Sequence, residues 1–236
     1  MSSEICKWLT EQLAKLPLVS YPFEVGALPM SGIYFFYEKG ELSPHGDQLP
    51  RIVRIGTHRD GNFRSRISEH YLLDDRKILF DTNKSAPHDR SIFRKNIGRV
   101  ILKRSDDPYL AVWEIDFMKS AKRQSHGHLR DLEKERRTEN EVTRVLRDNF
   151  SFRFVAMEDE QQRLGLNGLE RQLIGTVAQC TLCGPSEGWL GNYSPIVKIR
   201  NKGLWQVQHL KAAPLSGDAR SLLAAILALP EAALRE

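Results

Sequence analysis

The 236-residue chain has little cysteine and no long apolar run. Its 3 cysteines are too few, and odd in number, for the disulfide framework of a small secreted protein. No apolar stretch approaches the roughly 18 residues that a transmembrane helix needs. A share of 41% hydrophobic and 28% charged residues excludes collagen-like, mucin-like and wholly disordered chains. The length favours one domain with additions, or two small domains.

The first residues lack the basic start and the unbroken apolar stretch of a signal peptide. They carry two glutamates and an apolar set with helical spacing, Ile5, Trp8, Leu9, Leu13 and Leu16. This pattern predicts an amphipathic surface helix. We therefore expect a cytoplasmic protein with no membrane segment.

The positive charge is concentrated in the middle of the chain. The formal net charge is +5, yet the segment 51–104 contains 14 basic and 6 acidic residues, a local net of +8. The remaining 21 basic and 24 acidic residues have a net charge of −3. A focused basic block is typical of a protein that binds a polyanion, although solvated helix faces also carry such runs.

Short hydrophobic patterns predict an alternation of strands and helices. Aromatic and β-branched runs predict strands at 32–37, 51–56, 109–115, 151–157 and 196–199. Apolar spacing of three to four residues predicts helices at 63–71, over much of 119–149, at 166–180 and near 218–229. Asn62 is the expected N-cap of the second helix.

An ordered set of residues on these elements resembles the GIY-YIG nuclease domain. Its members are Gly32-Ile33-Tyr34 and Arg54-Ile55-Gly56 on two strands, Arg66 and His70 on one helix, Glu170 on a later helix, and Asn192 in the loop that follows. The order of parts and the Arg-x-x-x-His spacing are most similar to the restriction-enzyme branch. The resemblance covers residues 30–195 and implies an α/β fold with a small antiparallel sheet flanked by helices.

The same resemblance suggests three parts of the chain. Residues 1–29 form an N-terminal helical extension, 30–195 the nuclease-like domain, and 196–236 a C-terminal strand and helix. A basic and helical insertion occupies about 72–149 within the central part.

Two of these residues have a direct physical role in phosphodiester cleavage. The guanidinium of Arg66 is a forked, permanently charged donor for phosphate oxygens. The carboxylate of Glu170 is a ligand for Mg²⁺ or Mn²⁺, because such ions commonly take one or two protein carboxylates and complete their shell with water and substrate oxygens. This predicts a one-metal site.

The roles of three further residues are implied by the resemblance. Tyr34 corresponds to the tyrosine that receives the proton of the attacking water, which requires nearby positive charge to stabilise its anion. His70 relays that proton or holds the phosphate. Asn192 corresponds to the asparagine that positions the phosphate or the tyrosine.

Arg54 departs from the family pattern, which has a tyrosine at this position. Either Arg54 contacts the phosphate and chemistry continues on Tyr34, or the site is weakened and the protein mainly binds DNA.

Each site residue also has a structural interpretation. Tyr34 fits a packed strand aromatic, and Arg66 with His70 fits a solvated helix face. Glu170 fits a capping box that begins at Asn167, and Asn192 fits a turn beside glycine and proline.

The segment 90–104 is the predicted DNA-binding surface outside the catalytic cluster. Its basic residues would contact phosphates without specifying a sequence; they are Arg90, Arg94, Lys95, Arg99, Lys103 and Arg104. The alternative is a helix whose charged face meets only water.

Cys180 and Cys183 have the spacing of half a zinc site or of a redox pair, but no second such motif exists. His126 and His128 could complete a ligand set only by a coincidence of folding, so a small buried apolar residue is the simpler interpretation of Cys180. Trp189 is either a base-stacking residue or a core anchor, and Trp205 is expected to pack in the core.

These observations together predict a divalent-metal-dependent DNA endonuclease, most similar to restriction enzymes. The resemblance implies in-line attack by water. One nuclease centre per chain implies a homodimer, or two sequential nicks, for cleavage of both strands. The alternative function is a non-catalytic DNA-binding protein that retains the fold.

Overall fold

The strands predicted near residues 32, 51 and 151 form the centre of one antiparallel sheet. A computed structural model of the chain describes residues 2–59, 61–74 and 80–228. The sheet has the order β1-β4-β2-β3, built from β1 (Val19–Ser20), β2 (Gly32–Leu42), β3 (Pro50–Thr57) and β4 (Phe150–Ala156). Tyr34 of β2 lies opposite Gly56 of β3 on one side and Phe154 of β4 on the other.

Helices flank the sheet on both faces. They are α1 (Ser2–Ala14), α2 (Phe63–Tyr71), α3 (Pro87–Arg90), α4 (Ile92–Arg104), α5 (Leu110–Trp113), α6 (Ser120–His126), α7 (Leu132–Asn149), α8 (Glu160–Leu164), α9 (Leu169–Ala178), α10 (Val197–Lys202) and α11 (Gly217–Leu227). None of the helices in the described ranges is both long enough and apolar enough to cross a membrane. The predicted fold class, a small antiparallel sheet flanked by helices, is confirmed.

The alternation of side chains along β2 divides the core into two clusters. Ile33, Phe35 and Tyr37 pack in the cluster that contains residues of α1, α9 and α11. Tyr34 and Phe36 pack in the other cluster, with residues of α2, α4 and α7. Successive residues of a strand point to opposite faces, so Tyr34 is directed towards the α2–α4 side.

Two predicted strands are helices. Residues 109–115 include α5, because Asp107 accepts a hydrogen bond from the Tyr109 backbone (3.0 Å) and Trp113 is buried against α4, donating from Nε1 to the Lys95 carbonyl (3.1 Å). Residues 196–199 lie at the start of α10, where the Ser194 hydroxyl accepts from the Ile196 backbone (3.2 Å). In both places a turn-forming side chain and tertiary packing override strand propensity.

Position 56 requires a glycine, because the ring of Tyr34 lies across its backbone. A Cβ at this position would lie 2.5 Å from Cζ and 2.8 Å from Cε2 of Tyr34. We expect Gly56→Ala to lower the free energy of unfolding by about 1–3 kcal/mol, because overpacking forces the buried ring out of place. Urea denaturation of the variant measures this loss.

The matched control is Gly26→Ala, since a Cβ on the exposed Gly26 meets no atom within 4 Å. Equal stability of the two variants would contradict the proposed crossing of Gly56 by Tyr34.

Candidate active site

Tyr34 and His70 form a hydrogen-bonded pair beneath the surface. The His70 Nε2 atom lies 3.2 Å from the Tyr34 hydroxyl oxygen, and the two rings meet edge to face with centroids 5.5 Å apart. Tyr34 is 1% exposed and His70 is fully buried. The predicted catalytic tyrosine and histidine are therefore brought together. Tyr34 is also the packed strand aromatic that its pattern allowed, whereas His70 does not lie on a solvated helix face.

Ser91 holds the other nitrogen of His70. Its hydroxyl lies 2.8 Å from His70 Nδ1 and, as the N-cap of α4, accepts from the Arg94 backbone at 3.3 Å. Ser91 is fully buried, so its own proton needs an acceptor, and Nδ1 supplies one. Ser91 and Tyr34 thus each contact one ring nitrogen of His70, which fixes the orientation of the imidazole.

Arg54 is buried next to Tyr34 and does not lie on a surface that could contact phosphate. It is 5% exposed, donates from Nη1 to the Trp205 carbonyl at 2.6 Å, and lies over the Phe93 ring at 5.0 Å. Burial lowers the pKa of its guanidinium, while the adjacent Tyr34 acts in the opposite direction. An arginine keeps its charge even so, and a fixed cation therefore lies beside the Tyr34 hydroxyl.

Arg66 is the more accessible cation of the site. It lies one helical turn from His70 on α2, and its side chain is 19% exposed. Its Nη1 donates to Glu69 Oε2 (3.2 Å) and to the Arg90 carbonyl (2.8 Å). The buried Nε atoms of Arg54 and Arg66 have no hydrogen-bond partner in the described part of the chain. Such buried unpaired donors are rare and are costly to stability.

Glu170 approaches the Tyr34–His70 pair from the opposite face of the sheet. It lies in the first turn of α9, and its Oε1 accepts a hydrogen bond from the Thr57 backbone at 3.1 Å. The N-cap of α9 is Gly168, so the capping box expected at Asn167 does not form. Thr57 directly follows Gly56, the cross-strand partner of Tyr34, so the carboxylate lies at the same end of the β2–β3 pair.

Positive charge surrounds the Glu170 carboxylate. Burial raises the pKa of Glu170, whereas the Thr57 amide and then the nearby Arg54, Arg163 and Arg66 guanidinium groups lower it, and the net shift is upward. The second oxygen, Oε2, accepts no hydrogen bond from the described part of the chain. A half-buried carboxylate with one free oxygen fits the shell of a hard divalent cation that takes its other ligands from water and substrate.

Sequence reasoning missed Arg163 and His58. Arg163 is fully buried, and its Nη1 donates to the Thr57 hydroxyl (2.9 Å) and to the His58 carbonyl (2.6 Å), which fixes the end of β3. The His58 residue is exposed at the rim, but its imidazole is partly desolvated, and this together with the Arg66 charge lowers its pKa. Nothing in the local pattern distinguishes Arg163, but His58 could have been found from its place two residues after the second triplet.

Asn192 does not join this cluster through its side-chain amide. Its Nδ2 donates to the carbonyls of Ser186 (2.9 Å) and Glu187 (3.0 Å) within its own loop. This is the turn-forming role that the sequence left open, because a loop with glycine and proline places the amide against its own backbone.

The neighbouring Trp189 is a core anchor and not a base-stacking residue. It is 1% exposed, and its Nε1 donates to Glu38 Oε2 at 2.8 Å. Trp205 is buried too and donates to the same oxygen at 2.8 Å.

The predicted DNA-binding surface at 90–104 is wrong for three of its six residues. Arg94, Lys95 and Arg99 are 0%, 7% and 9% exposed, because α4 turns them towards acidic residues and carbonyl groups of neighbouring helices. Arg94 pairs with Glu139, and Arg99 with Glu114.

The other three basic residues of that segment differ in environment. Lys103 and Arg104 are exposed, and Arg104 lies over the Tyr193 ring at 4.9 Å. Arg90 is half-buried, and its carbonyl accepts the hydrogen bond from Arg66. Only the C-terminal end of α4 therefore presents predicted DNA-binding charge to solvent.

The buried imidazole of His70 predicts a loss of stability in mild acid. Burial, followed by the charges of Arg66 and Arg54, holds the pKa of His70 well below its ordinary value. The unfolded chain binds a proton at this histidine below about pH 6.5 and the folded chain does not, so stability falls as pH decreases through that range. We expect a slope of up to about 1.4 kcal/mol per pH unit from this group, measured by urea denaturation between pH 7.5 and 5.5. The variant His70→Gln is expected to flatten the slope, and an unchanged slope would contradict the assignment.

Comparisons with known proteins gave one family match. A family model described as "GIY-YIG domain" matches residues 11–226 of the chain. Neither the curated proteins nor the solved structures gave a match.

Proposed function

The chain belongs to the GIY-YIG domain family, whose model matches nearly its whole length, and from this we propose that it is a metal-dependent DNA endonuclease. The observation that carries the proposal is the convergence of Tyr34, His70, Arg54, Arg66 and Glu170 at one end of the β2–β3 pair. These residues come from four separate elements, β2, β3, α2 and α9. Packing alone does not account for the cluster, because it crowds guanidinium groups whose Nε donors lack a hydrogen-bond partner among the described residues.

Arg66 is the proposed phosphate ligand. It is the part-exposed cation of the cluster, and a guanidinium contacts two phosphate oxygens at once. The exposed His58 beside it and the half-buried Glu170 complete the rim that a DNA backbone would meet.

Tyr34 is the proposed acceptor of the water proton during in-line attack on phosphorus. Its oxygen lies 3.2 Å from His70 Nε2 and next to the Arg54 guanidinium, so two polar groups hold the atom that would receive the proton. Arg54 thus contributes charge behind the tyrosine, in place of the second hydroxyl that the family usually has. His70 is neutral because burial lowers its pKa, so its imidazole can hold or pass a proton at Nε2 beside the Tyr34 oxygen.

Glu170 is the proposed ligand of Mg²⁺ or Mn²⁺ through its free oxygen. Such an ion supplies charge that polarises the phosphate and stabilises the leaving oxygen. The protein's own part is to hold the carboxylate at the end of β3 by the Thr57 amide.

A plasmid-nicking assay tests the endonuclease function. The full chain is incubated with supercoiled DNA in Mg²⁺, in Mn²⁺ and in EDTA, and also with linear, single-stranded and modified DNA. We expect nicked or linear product only with a divalent ion, and loss of product in Arg66→Ala. The control is Arg137→Ala, which removes an exposed arginine of α7 that lies outside the cluster.

The rival function is a DNA-binding protein that does not cleave. DNA binding without a metal, together with no cleavage product on any of these substrates, would establish the rival function and overturn the proposal. We favour a restriction-type enzyme because Arg66 and His70 keep the spacing of that branch, and we propose that cleavage of both strands uses two chains or two successive nicks. Sedimentation of the DNA complex distinguishes these last two.

A further inference from the structure

All three cysteines of the chain meet at one point in the core cluster that packs against α1, α9 and α11, whereas Tyr34 belongs to the cluster on the other face of the sheet. Cys6 lies on α1, and Cys180 and Cys183 follow α9, yet the Cys6 and Cys183 sulfurs are 3.7 Å apart. His45, from the connection between β2 and β3, places its Nε2 atom 3.1 Å from the Cys180 sulfur. The four ligand atoms all lie within 4.8 Å of one another.

We propose that Cys6, His45, Cys180 and Cys183 bind a structural zinc ion. Three thiolates and one imidazole are a preferred ligand set of tetrahedral zinc, and four protein ligands leave no open position. A zinc–sulfur bond of about 2.3 Å gives a sulfur–sulfur edge of roughly 3.8 Å in a tetrahedron, close to the separation of Cys6 and Cys183. The ion is distinct from the Glu170-bound cation, whose oxygen ligand suits a harder metal.

The geometry favours a metal over the alternatives for these thiols. A disulfide needs sulfurs about 2.05 Å apart and uses only two of them, whereas here a third cysteine and a histidine from another segment converge on the same point. Isolated buried thiols do not require a histidine nitrogen among them. The exposed fractions of Cys6, His45 and Cys180 are 1%, 7% and 8%, as expected for a closed structural site.

The sequence could not identify this site, because its ligands come from three distant segments. The half-motif at Cys180 and Cys183 lacked a partner in the sequence. His126 and His128, which could have completed it only by a coincidence of folding, lie in the 120–129 region and are not in the cluster. The proposed ion ties α1 and the β2–β3 connection to the C-terminal end of α9. Because α9 carries Glu170 in its first turn, the same ion would hold the active-site helix against the sheet.

Metal analysis of the full chain, purified without a metal-binding tag, tests the proposal. We expect one zinc ion per chain by mass spectrometry, and almost complete loss of that zinc in Cys183→Ser, which alters the half-exposed ligand. The matched control His128→Ala changes an exposed histidine outside the cluster and is expected to keep its zinc. Removal of zinc by a chelator is expected to lower the Tm by on the order of 10 °C.

Cobalt substitution keeps the proposal testable if the serine variant folds poorly. Co²⁺ added to the reduced, zinc-free parent is expected to give a thiolate-to-cobalt charge-transfer band, which zinc then displaces. Parent protein with three free thiols and no bound zinc, or with a mass two hydrogens lower from a disulfide, would overturn the proposal. These readouts do not depend on DNA cleavage, so the zinc site and the endonuclease function can fail separately.

Discussion

Replacement of Glu170 by glutamine is expected to reduce metal-dependent DNA cleavage by about 10³-fold or more while the protein remains folded. The amide keeps the size of the side chain and its carbonyl still accepts from the Thr57 backbone, so the local structure is retained. The charge that would hold the divalent ion is lost, and metal-ion stabilisation of a phosphoryl transition state is worth several kcal/mol. Initial rates of plasmid nicking across a range of Mg²⁺ concentrations measure the effect.

The Glu170→Gln variant is also expected to differ from the parent in its free energy of unfolding. Burial raises the pKa of Glu170, so the ionised carboxylate costs folding free energy above the ordinary carboxyl range. The stabilising contribution of this group is present at low pH and is lost as pH rises through its folded pKa. Glu170→Gln is therefore expected to be at least as stable as the parent at neutral pH. A residue that destabilises the fold and is needed for activity is typical of a functional site.

The control is Glu158→Gln, which neutralises an exposed carboxylate between β4 and α8. DNA binding, measured by fluorescence anisotropy in the absence of cleavage, is expected to survive in both variants. Cleavage by Glu170→Gln at the rate of the control would refute the metal role of Glu170.

Local patterns predicted the parts of the site that depend on one element each. Tyr34 and Gly56 lie on strands whose alternation was visible, and Arg66 and His70 lie one turn apart on a helix whose apolar spacing was clear. Their order along the chain indicated the family. The family match over residues 11–226 agrees with that prediction.

The features of the site that the sequence could not predict depend on contacts between elements far apart in the chain. The Ser91 hydroxyl that orients His70 comes from the N-cap of α4, 21 residues later. The proposed zinc ligands bring Cys6 together with Cys180 and Cys183, more than 170 positions away. Such pairings follow from how helices pack on the sheet, and a single sequence carries no separate signal for them.

The charge of the basic segment 90–104 also depends on contacts with distant elements. Its positive charge was visible in the sequence, but the acids that neutralise it lie elsewhere: Glu114 at the end of α5 and Glu139 on α7. A run of arginines predicts a polyanion partner only when the fold leaves those arginines in solvent. Here the fold supplies carboxylates of its own.

Replacement of Arg94 by methionine is accordingly expected to lower the free energy of unfolding by about 3–5 kcal/mol, because it leaves a buried carboxylate without its cation. Arg94 donates to Glu139 Oε2 from Nε (3.0 Å) and Nη2 (2.5 Å), and both side chains are fully buried. It also donates to the Thr143 hydroxyl at 2.8 Å and to the His70 carbonyl at 3.0 Å, so its loss would also loosen the helix that carries Arg66. Urea denaturation at pH 7 measures the difference.

The pH dependence separates a lost ion pair from a simple cavity. Burial alone would raise the pKa of Glu139, but Arg94 and His88 overcome it and hold the pKa at about 2. In the parent this group stabilises the fold above the ordinary carboxyl range, and the contribution is lost as pH falls towards 2. Without Arg94 the buried carboxylate favours protonation, so the stability gap between variant and parent is expected to narrow between pH 7 and 4.

Lys103→Met on the same helix is the matched control, because Lys103 is exposed and the substitution removes one positive charge there too. It is expected to change stability by less than about 0.5 kcal/mol and to weaken DNA binding more strongly at low salt. A gap for Arg94→Met that stays constant with pH would indicate lost packing and would remove the ion pair from the explanation. Equal stability of the two variants would restore Arg94 to the surface on which the sequence alone placed it.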